Sequence, residues 1–368
     1  MSDYLRKAFK GKNVLVTGHT GFKGSWLAIW LKELGANVIG YSLDPPTNPS
    51  NFEITKLSNR IIDLRGDVRN KEKLQEAIEK YRPEIIFHLA AQPIVLKSFD
   101  IPKDTFDINV GGTVNVLEIA RHSPWVKSLI MITSDKCYKD QGMHWGYRET
   151  DALGGSDPYS ASKSMAEIAV ESYRKSFFQF SDTAVASSRA GNVIGGGDFA
   201  EFRMIPDCIK AILENKEITV RNPQNVRPWQ HVLVPLSGYL NLAAKLQEEK
   251  HAYADAWNFG PPETLGVATK DLAEKLIELW GSGSWVHVPL EKPKKETILL
   301  RLSWEKAAHN LKWAPAYDWQ GALASTVEWF KEYSRQKIEG DVDLYDLCVR
   351  QIKDYTEKSR QKKVQWAL

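Results

Sequence analysis

The sequence predicts an α/β fold, a doubly wound parallel sheet with a smaller, mixed C-terminal lobe, on three observations. Short apolar runs alternate with helix-length stretches through the first half of the chain. Gly18, Gly21 and Gly24 stand between the first run and the first helix. Beyond about Ser188 the alternation gives way to loops rich in Gly, Pro and Asn. At 368 residues, roughly 150 per domain suggests two domains, or one large domain with a satellite.

The elements follow in order. Asn13–Thr17 and Asn37–Ser42 read as strands flanking a helix at Phe22–Leu34. Ile61–Arg65 is a third strand, and Lys71–Tyr81 a helix with Asn70 as its N-cap. Ile85–Leu89 and Ser128–Thr133 are further buried strands, separated by a helix over Thr105–Arg121. Later helices are expected at Met204–Leu213, Leu236–Gln247, Thr269–Trp280 and Asp318–Ser334, with loops at Gly191–Asp198, Arg221–Arg227 and Gly260–Gly266. We place a nucleotide-binding domain over 1–188, rejoined by 229–260. A second lobe takes 189–228 and 261–336, and 337–368 forms a helical surface appendage.

Composition narrows the function classes. The chain is 43% hydrophobic and 26% charged, which excludes a disordered or fibrous protein. No apolar run approaches the ~18 residues of a membrane span, and Met1–Lys12 lacks the apolar stretch of an export signal. Three scattered cysteines form neither a disulfide framework nor a metal site, so a reducing cytoplasm is the expected location. A net charge of +3 with no basic stripe gives no sign of nucleic-acid binding. The 13 Trp read as core filling at least as readily as ligand platforms.

The glycine segment Gly18-His-Thr-Gly-Phe-Lys-Gly24 carries the first functional signal. Placed between strand and helix, it lets the backbone approach a pyrophosphate at a helix N-terminus, as in Rossmann-type dinucleotide sites. Asp44, past the second strand with no Arg near it in sequence, suits a ribose 2′-hydroxyl and repels a 2′-phosphate, so NAD is expected over NADP. Asp67 is a candidate for the adenine amino group, or for capping the next helix. His19 is expected to shape the loop. Tyr159 and Lys163 lie four apart on one helix face, where a cation draws a phenol toward working pH as a general base requires. The spacing alone carries little, since Tyr333 and Lys337 share it. Asp157-Pro158 starting the helix and Thr133–Lys136 ending a strand give the first pair its context.

Gly18–Gly24, His88–Ala91, Ser134 and Tyr159…Lys163 together resemble the extended short-chain dehydrogenase/reductase superfamily, in its nucleotide-sugar branch. More narrowly, GHTGFKGSWL (Gly18–Leu27), TSDKCY (Thr133–Tyr138), WGYRE (Trp145–Glu149), DPYSASK (Asp157–Lys163) and RAGNVIGGGD (Arg189–Asp198) resemble the CDP-glucose 4,6-dehydratase family. The match spans about residues 10 to 335.

That resemblance implies a lyase of deoxysugar (O-antigen) precursor synthesis. Its NAD is tightly held, and is reduced and reoxidised within one turnover. The resemblance places Gly18, Thr20, Gly21, Phe22, Lys23, Gly24, Asp44, Asp67, Val68, Leu89, Ala90, Ala91, Tyr159 and Lys163 around the cofactor. It makes Ser134, Asp135, Lys136, Tyr159 and Lys163 catalytic, and gives Arg203, Arg227 and Asn192 to the substrate diphosphate. Arg suits that task because its planar fork pairs with two phosphate oxygens. Arg189 is a further candidate for substrate binding, and each Arg alternatively reads as an ordinary surface salt bridge. His88 and His231 are expected to be structural. A homodimer or homotetramer is implied, joined by the helices near Thr105–Arg121 and Tyr159–Phe178. A 4-epimerase shares the Tyr/Lys pair and NAD, and a non-catalytic NAD-binding scaffold shares the fold. Asp135-Lys136, needed only to eliminate water, separates the dehydratase from the epimerase.

Overall fold

The computed structural model describes residues 1–263, 266–289, 300–340 and 343–368. The loop expected at Gly260–Gly266, and the 261–336 and 337–368 stretches, therefore lie partly outside the described residues.

Among the described residues, seven strands form the central sheet: β1 (Asn13–Thr17), β2 (Asn37–Ser42), β3 (Ile62–Arg65), β4 (Ile85–His88), β5 (Ser128–Ile132), β6 (Ala184–Ala190) and β7 (Ala256–Phe259). They lie in the order β7-β6-β5-β4-β1-β2-β3, every pair parallel. The order reverses between β1 and β4, so their carboxyl ends open a crevice at the topological switch point. Side chains alternate between two apolar layers. Val14, Val16, Ile85, Phe87 and Ile130 face one core; Leu15, Ile86, Leu129 and Met131 face the other.

Helices cover both faces. The first layer holds α1 (Asp3–Phe9), α2 (Phe22–Glu33) and, later in the chain, α6 (Leu233–Glu249). The second holds α3 (Lys71–Tyr81), α4 (Gly112–Arg121) and α5 (Pro158–Ser176). Asn70 caps α3 as expected, its side chain accepting from Lys73 N. The helix expected over Thr105–Arg121 is broken. A short helix ends at Phe106, and Asp107–Gly111 forms a π turn ahead of α4. Within that turn Asn109 Nδ2 donates to Gln92 O (3.2 Å) and Ser162 Oγ (2.9 Å), tying it to α5.

The later residues add three two-stranded pairs, Val193–Ile194 with Gln230–His231, Val226–Arg227 with Val267–Ala268, and Ile218–Val220 with Trp285–His287. Helices Met204–Leu213 and Thr269–Trp280 pack beside them, and their Ile205, Ile209, Leu272 and Leu276 join the same apolar cluster as α2. The tail differs from the expected surface appendage. α7 (Trp319–Glu339) and α8 (Leu344–Gln361) bury their apolar stripes, and Tyr355 packs against Trp30, Trp366 and Tyr317. Leu344, Leu347, Cys348, Ile352 and Tyr355 follow helical period, so one face of α8 has to be covered. Trp26, Trp30, Trp257, Trp313, Trp329 and Trp366 are all fully buried, which makes them core residues. No helix among the described residues is long and apolar enough to cross a membrane.

Candidate active site

The glycine loop leaves β1 at the switch point and packs tightly on its neighbours. A Cβ on Gly24 would lie 2.1 Å from Gly18 O, and one on Gly18 2.8 Å from Ala90 N. Gly18 has φ +77°, and Gly21 N donates to Gly18 O at 3.1 Å. α2 then starts with no side-chain cap, leaving its first N–H groups to face the crevice. This backbone cradle, in which a Cβ on Gly18 or Gly24 would collide with neighbouring backbone, fits a dinucleotide pyrophosphate. Gly24→Ala should therefore weaken NAD binding by at least about tenfold in a calorimetric titration, since backbone and not a flexible side chain blocks the new methyl. Unchanged affinity would count against the cradle.

Thr20 Oγ1 meets Ser42 Oγ at 2.8 Å and donates to Leu43 O at 3.0 Å, pinning the loop to the end of β2. His19 does shape the loop. Its Nε2 lies 2.8 Å from Asp63 Oδ1, and its ring meets Phe52 edge-on. Asp44 is 91% exposed, and the fold brings Arg65 from β3 to 3.7 Å from it, an Arg that sequence distance concealed. Arg65 is itself held by Asp63 at 2.9 Å. The Asp67 carboxylate takes a fork from Arg69, which holds its pKa below the usual range. Because Asn70 caps α3, the capping role weighed for Asp67 falls away. Val68 is buried, packing where a Cβ on Gly112 would strike it. Leu89, Ala90 and Ala91 are half-buried at the end of β4, and Phe22 lies where a Cβ on Gly195 would come within 3.1 Å.

The reactive groups converge beside this loop. Asp157 caps α5, accepting from Ser160 N at 2.9 Å, and Pro158 occupies the first turn. Tyr159 and Lys163 follow one turn apart, both buried. Across from them, Ser134 caps a 3₁₀ turn over Asp135–Cys137, accepting from Lys136 N at 3.2 Å and donating to Asp135 Oδ1 at 2.9 Å. Tyr159 hydrogen-bonds to Ser134. Lys163 Nζ reaches the Ile132 carbonyl at 3.5 Å.

The electrostatics correct one expectation. Tyr159 is not drawn toward neutral pH in the protein alone; burial dominates and pushes the phenol up to about 12, against the Ser134 hydrogen bond. Burial also lowers Lys163 to about 8, although Glu167 and Cys137 oppose it. Asp135 is raised by burial, against the nearby charge of Lys136, which favours the protonated acid. Lys136 itself is half-buried. Lys23, read as a cofactor residue, turns its ammonium to within 3.4 Å of Tyr239 OH. There burial, then Arg203 and Lys163, lower it to about 7 while Asp135 pulls the other way. His88 and His231 are structural, as expected: both are buried, and burial lowers each to about 3. His88 Nδ1 pairs with Thr17 Oγ1 at 2.8 Å.

Of the four residues expected at the substrate, Arg203 stands beside Tyr159, and the backbone next to Asn192 and Arg227 runs close to Asp135. Arg203 pairs with Asp198 at 2.9 Å, and its charge bears on Tyr159. Gly191, next to Asn192, lies where a Cβ would sit 3.0 Å from Asp135 Oδ2 and 3.9 Å from Pro228 Cγ. Asn192 and Arg227 are half-buried. Arg189 is placed elsewhere: it is buried against Glu167 beneath α5 and does not face the crevice. Sequence reasoning missed Glu167 and Tyr239. Glu167 lies one helical turn past Lys163, a spacing that marks it; Tyr239 comes from a distant helix with no local signal.

A family model described as GDP-mannose 4,6 dehydratase matches residues 15–326. The chain belongs to the GDP-mannose 4,6-dehydratase family. Within that family it is 44% identical over 353 residues to a CDP-glucose 4,6-dehydratase of Salmonella typhimurium, covering 94% of this chain and 97% of the relative. It is 25% identical to the dTDP-D-glucose 4,6-dehydratase of Homo sapiens, over 87% of this chain and 90% of that one. Two solved structures share the fold. A UDP-glucose 4-epimerase from Thermotoga maritima, with UDP-glucose, has a TM-score of 0.75 at 24% identity, covering 88% of this chain and 99% of that one. A dTDP-glucose 4,6-dehydratase from Bacillus anthracis, in complex with NAD, has a TM-score of 0.73 at 24% identity, covering 88% and 98%. The family membership bears out the resemblance carried by GHTGFKGSWL, TSDKCY and RAGNVIGGGD.

Proposed function

We propose that this family member is an NAD-dependent lyase that converts CDP-glucose to CDP-4-keto-6-deoxyglucose. The observation that carries the reading is the meeting of Ser134, Asp135, Tyr159 and Lys163 in one buried site beside the glycine cradle, with Lys136 at its edge. NAD, when bound, accepts hydride from the sugar's C4 and returns it to C6. Ser134 holds the C4 hydroxyl, and Tyr159 takes its proton with Lys163 as the companion cation. Once C4 is a ketone, the C5–H is acidic; Lys136 takes that proton and Asp135 protonates the departing C6 oxygen. Asp135-Lys136 favours elimination over simple epimerisation, which needs no such pair. The cytidine moiety is supported by the 44% relative.

The deciding experiment incubates the protein with CDP-, dTDP- and UDP-glucose and follows the alkaline absorbance of a 4-keto-6-deoxy sugar. CDP-glucose should give the strongest signal. A C4 epimer with no such chromophore would establish the epimerase reading instead.

Arg203, Arg227 and Asn192 hold the diphosphate. Arg227→Ala should mainly raise KM, by an amount consistent with one charge-assisted bond of ~1.5–3 kcal/mol. An unchanged KM would remove Arg227 from the substrate. Met165 and Ile168 stand 48% and 55% exposed on the outer face of α5, and Phe99 is 52% exposed. A second copy of the chain covers them in the proposed homodimer, or homotetramer. Cys137, Cys208 and Cys348 are buried free thiols, which supports a cytoplasmic setting.

A further inference from the structure

A buried ion pair ties the catalytic helix to the turn that faces it. Arg189 Nη2 lies 2.6 Å from Glu167 Oε2, with side chains only 4% and 2% exposed. Glu167 sits on α5 one turn beyond Lys163. It also accepts from Ser187 Oγ at 2.8 Å on β6, and from Thr133 Oγ1, the residue just before Ser134. The other arm of Arg189 donates to Tyr138 OH at 2.6 Å and to Glu149 O at 3.2 Å. Tyr138 follows Lys136 by two residues, and its hydroxyl donates to Asn258 Oδ1 at 2.8 Å on β7. Asn258 in turn donates from Nδ2 to Tyr147 O and from its backbone N to Glu149 Oε1, each at 2.9 Å.

One carboxylate and one guanidinium thus join both ends of the Ser134–Cys137 segment to α5, β6 and the 138–149 stretch. Such a pair is a poor stabiliser, because desolvating two charges offsets most of their attraction. Its geometry is what distinguishes it, since a planar fork fixes the angle between its partners.

We propose that Glu167 and Arg189 are positioning residues that hold the acid–base turn of Asp135 and Lys136 at a fixed distance from Tyr159 and Lys163. This rests on the oxidation-and-elimination reading above. Glu167 is also the foremost charge that favours protonated Lys163. The other charged and titratable groups near that ammonium are Cys137, which burial keeps as a neutral thiol, and Arg189, Lys23 and His88, whose charged forms oppose it. Removing the Glu167 charge should therefore release the Lys163 proton at lower pH.

The test combines three variants with selective ¹³C-lysine NMR, Lys163 being assigned by its loss in Lys163→Met. In Glu167→Gln the Lys163 titration should move down by about 1–3 pH units, as expected for a lost close countercharge. The alkaline limb of NADH formation should move with it. Glu167→Gln strands a buried guanidinium and risks unfolding, so Glu167→Gln/Arg189→Met removes both charges and should move the titration in the same direction by a smaller amount, because the lost guanidinium had opposed the ammonium. Arg189→Lys keeps the charge but loses the fork; kcat should fall about tenfold or more while KM changes little. A folded Glu167→Gln or double variant with the wild-type Lys163 titration would overturn the electrostatic role. Arg189→Lys that raises KM alone would overturn the positioning role and return Arg189 to the substrate. The Lys163 titration needs no substrate. A wild-type protein that turns over no nucleotide sugar would count against the functional reading and not against this pair.

Discussion

Tyr159→Phe should lower the rate of NADH formation from bound sugar nucleotide by about 10²–10⁴-fold, the usual contribution of a positioned acid–base group. The substitution removes one oxygen from a buried site. The Ser134 hydroxyl keeps Asp135 Oδ1 as its acceptor at 2.9 Å, so no donor is orphaned and the melting temperature should stay close to wild type. Substrate affinity should also persist, because Arg203 and Arg227 are untouched. The loss is therefore expected in the chemical step. In the protein alone burial holds the phenol near about 12, so positive charge close to the ring is needed for it to act as a base near neutrality. Single-turnover absorbance at the NADH band reads the step directly. A folded Tyr159→Phe protein forming NADH at the normal rate would remove Tyr159 from the chemistry.

Lys136→Met should separate the two halves of the reaction. Oxidation at C4 depends on Tyr159, Lys163 and Ser134, so NADH should still form with substrate. Exchange of solvent deuterium into C5, and transfer of a C4 deuterium label to C6, should each fall by about 10²–10⁴-fold. The wild-type protein should carry the C4 label to C6 and take solvent deuterium at C5. Asp135 is suited to the partner role because burial raises its pKa, keeping the protonated form available to the leaving oxygen at higher pH than an exposed carboxyl allows. Retention of C5 exchange in Lys136→Met would assign the base elsewhere. Lys23 would then be the first group to examine, since it bears on Asp135 and burial lowers it to about 7.

β1, β2, β4 and β5 were legible because each is a largely apolar run buried on both faces, as a parallel sheet requires, whereas β3 at the sheet edge is only half-buried. Asn13–Thr17 and Asn37–Ser42 match the structure residue for residue. β6 and β7 were not visible for the opposite reason. Ala184–Ala190 carries Ser187, Ser188 and Arg189 yet is buried throughout, with Glu167 reaching over from α5 to pair with Ser187 and Arg189. A polar strand satisfied by a distant partner leaves no local pattern. The same limit explains the Arg189 assignment. An Arg in a Gly- and Asn-rich context looks available to a phosphate until the fold supplies its carboxylate. Tyr159, Lys163 and the glycines were legible because spacing fixed by one helix or one turn survives into three dimensions. The Arg65–Asp44 approach was hidden because it depends on the pairing of β2 with β3.

The seating of α8 on α2 bears on how the chain comes to be folded during synthesis. Trp30 meets Tyr355 and Trp366, and Ser2 Oγ donates to Trp366 O at 2.5 Å, so residues made early are covered by residues made more than 300 positions later. At ~5–20 residues per second, α2 waits on the order of 15–65 s before its cover leaves the ribosome. Through that interval the sheet's first strands can pair, but the indole face of α2 has no permanent neighbour. A chain truncated within α8 should therefore aggregate more readily than the full chain, even though every residue of the nucleotide cradle is present.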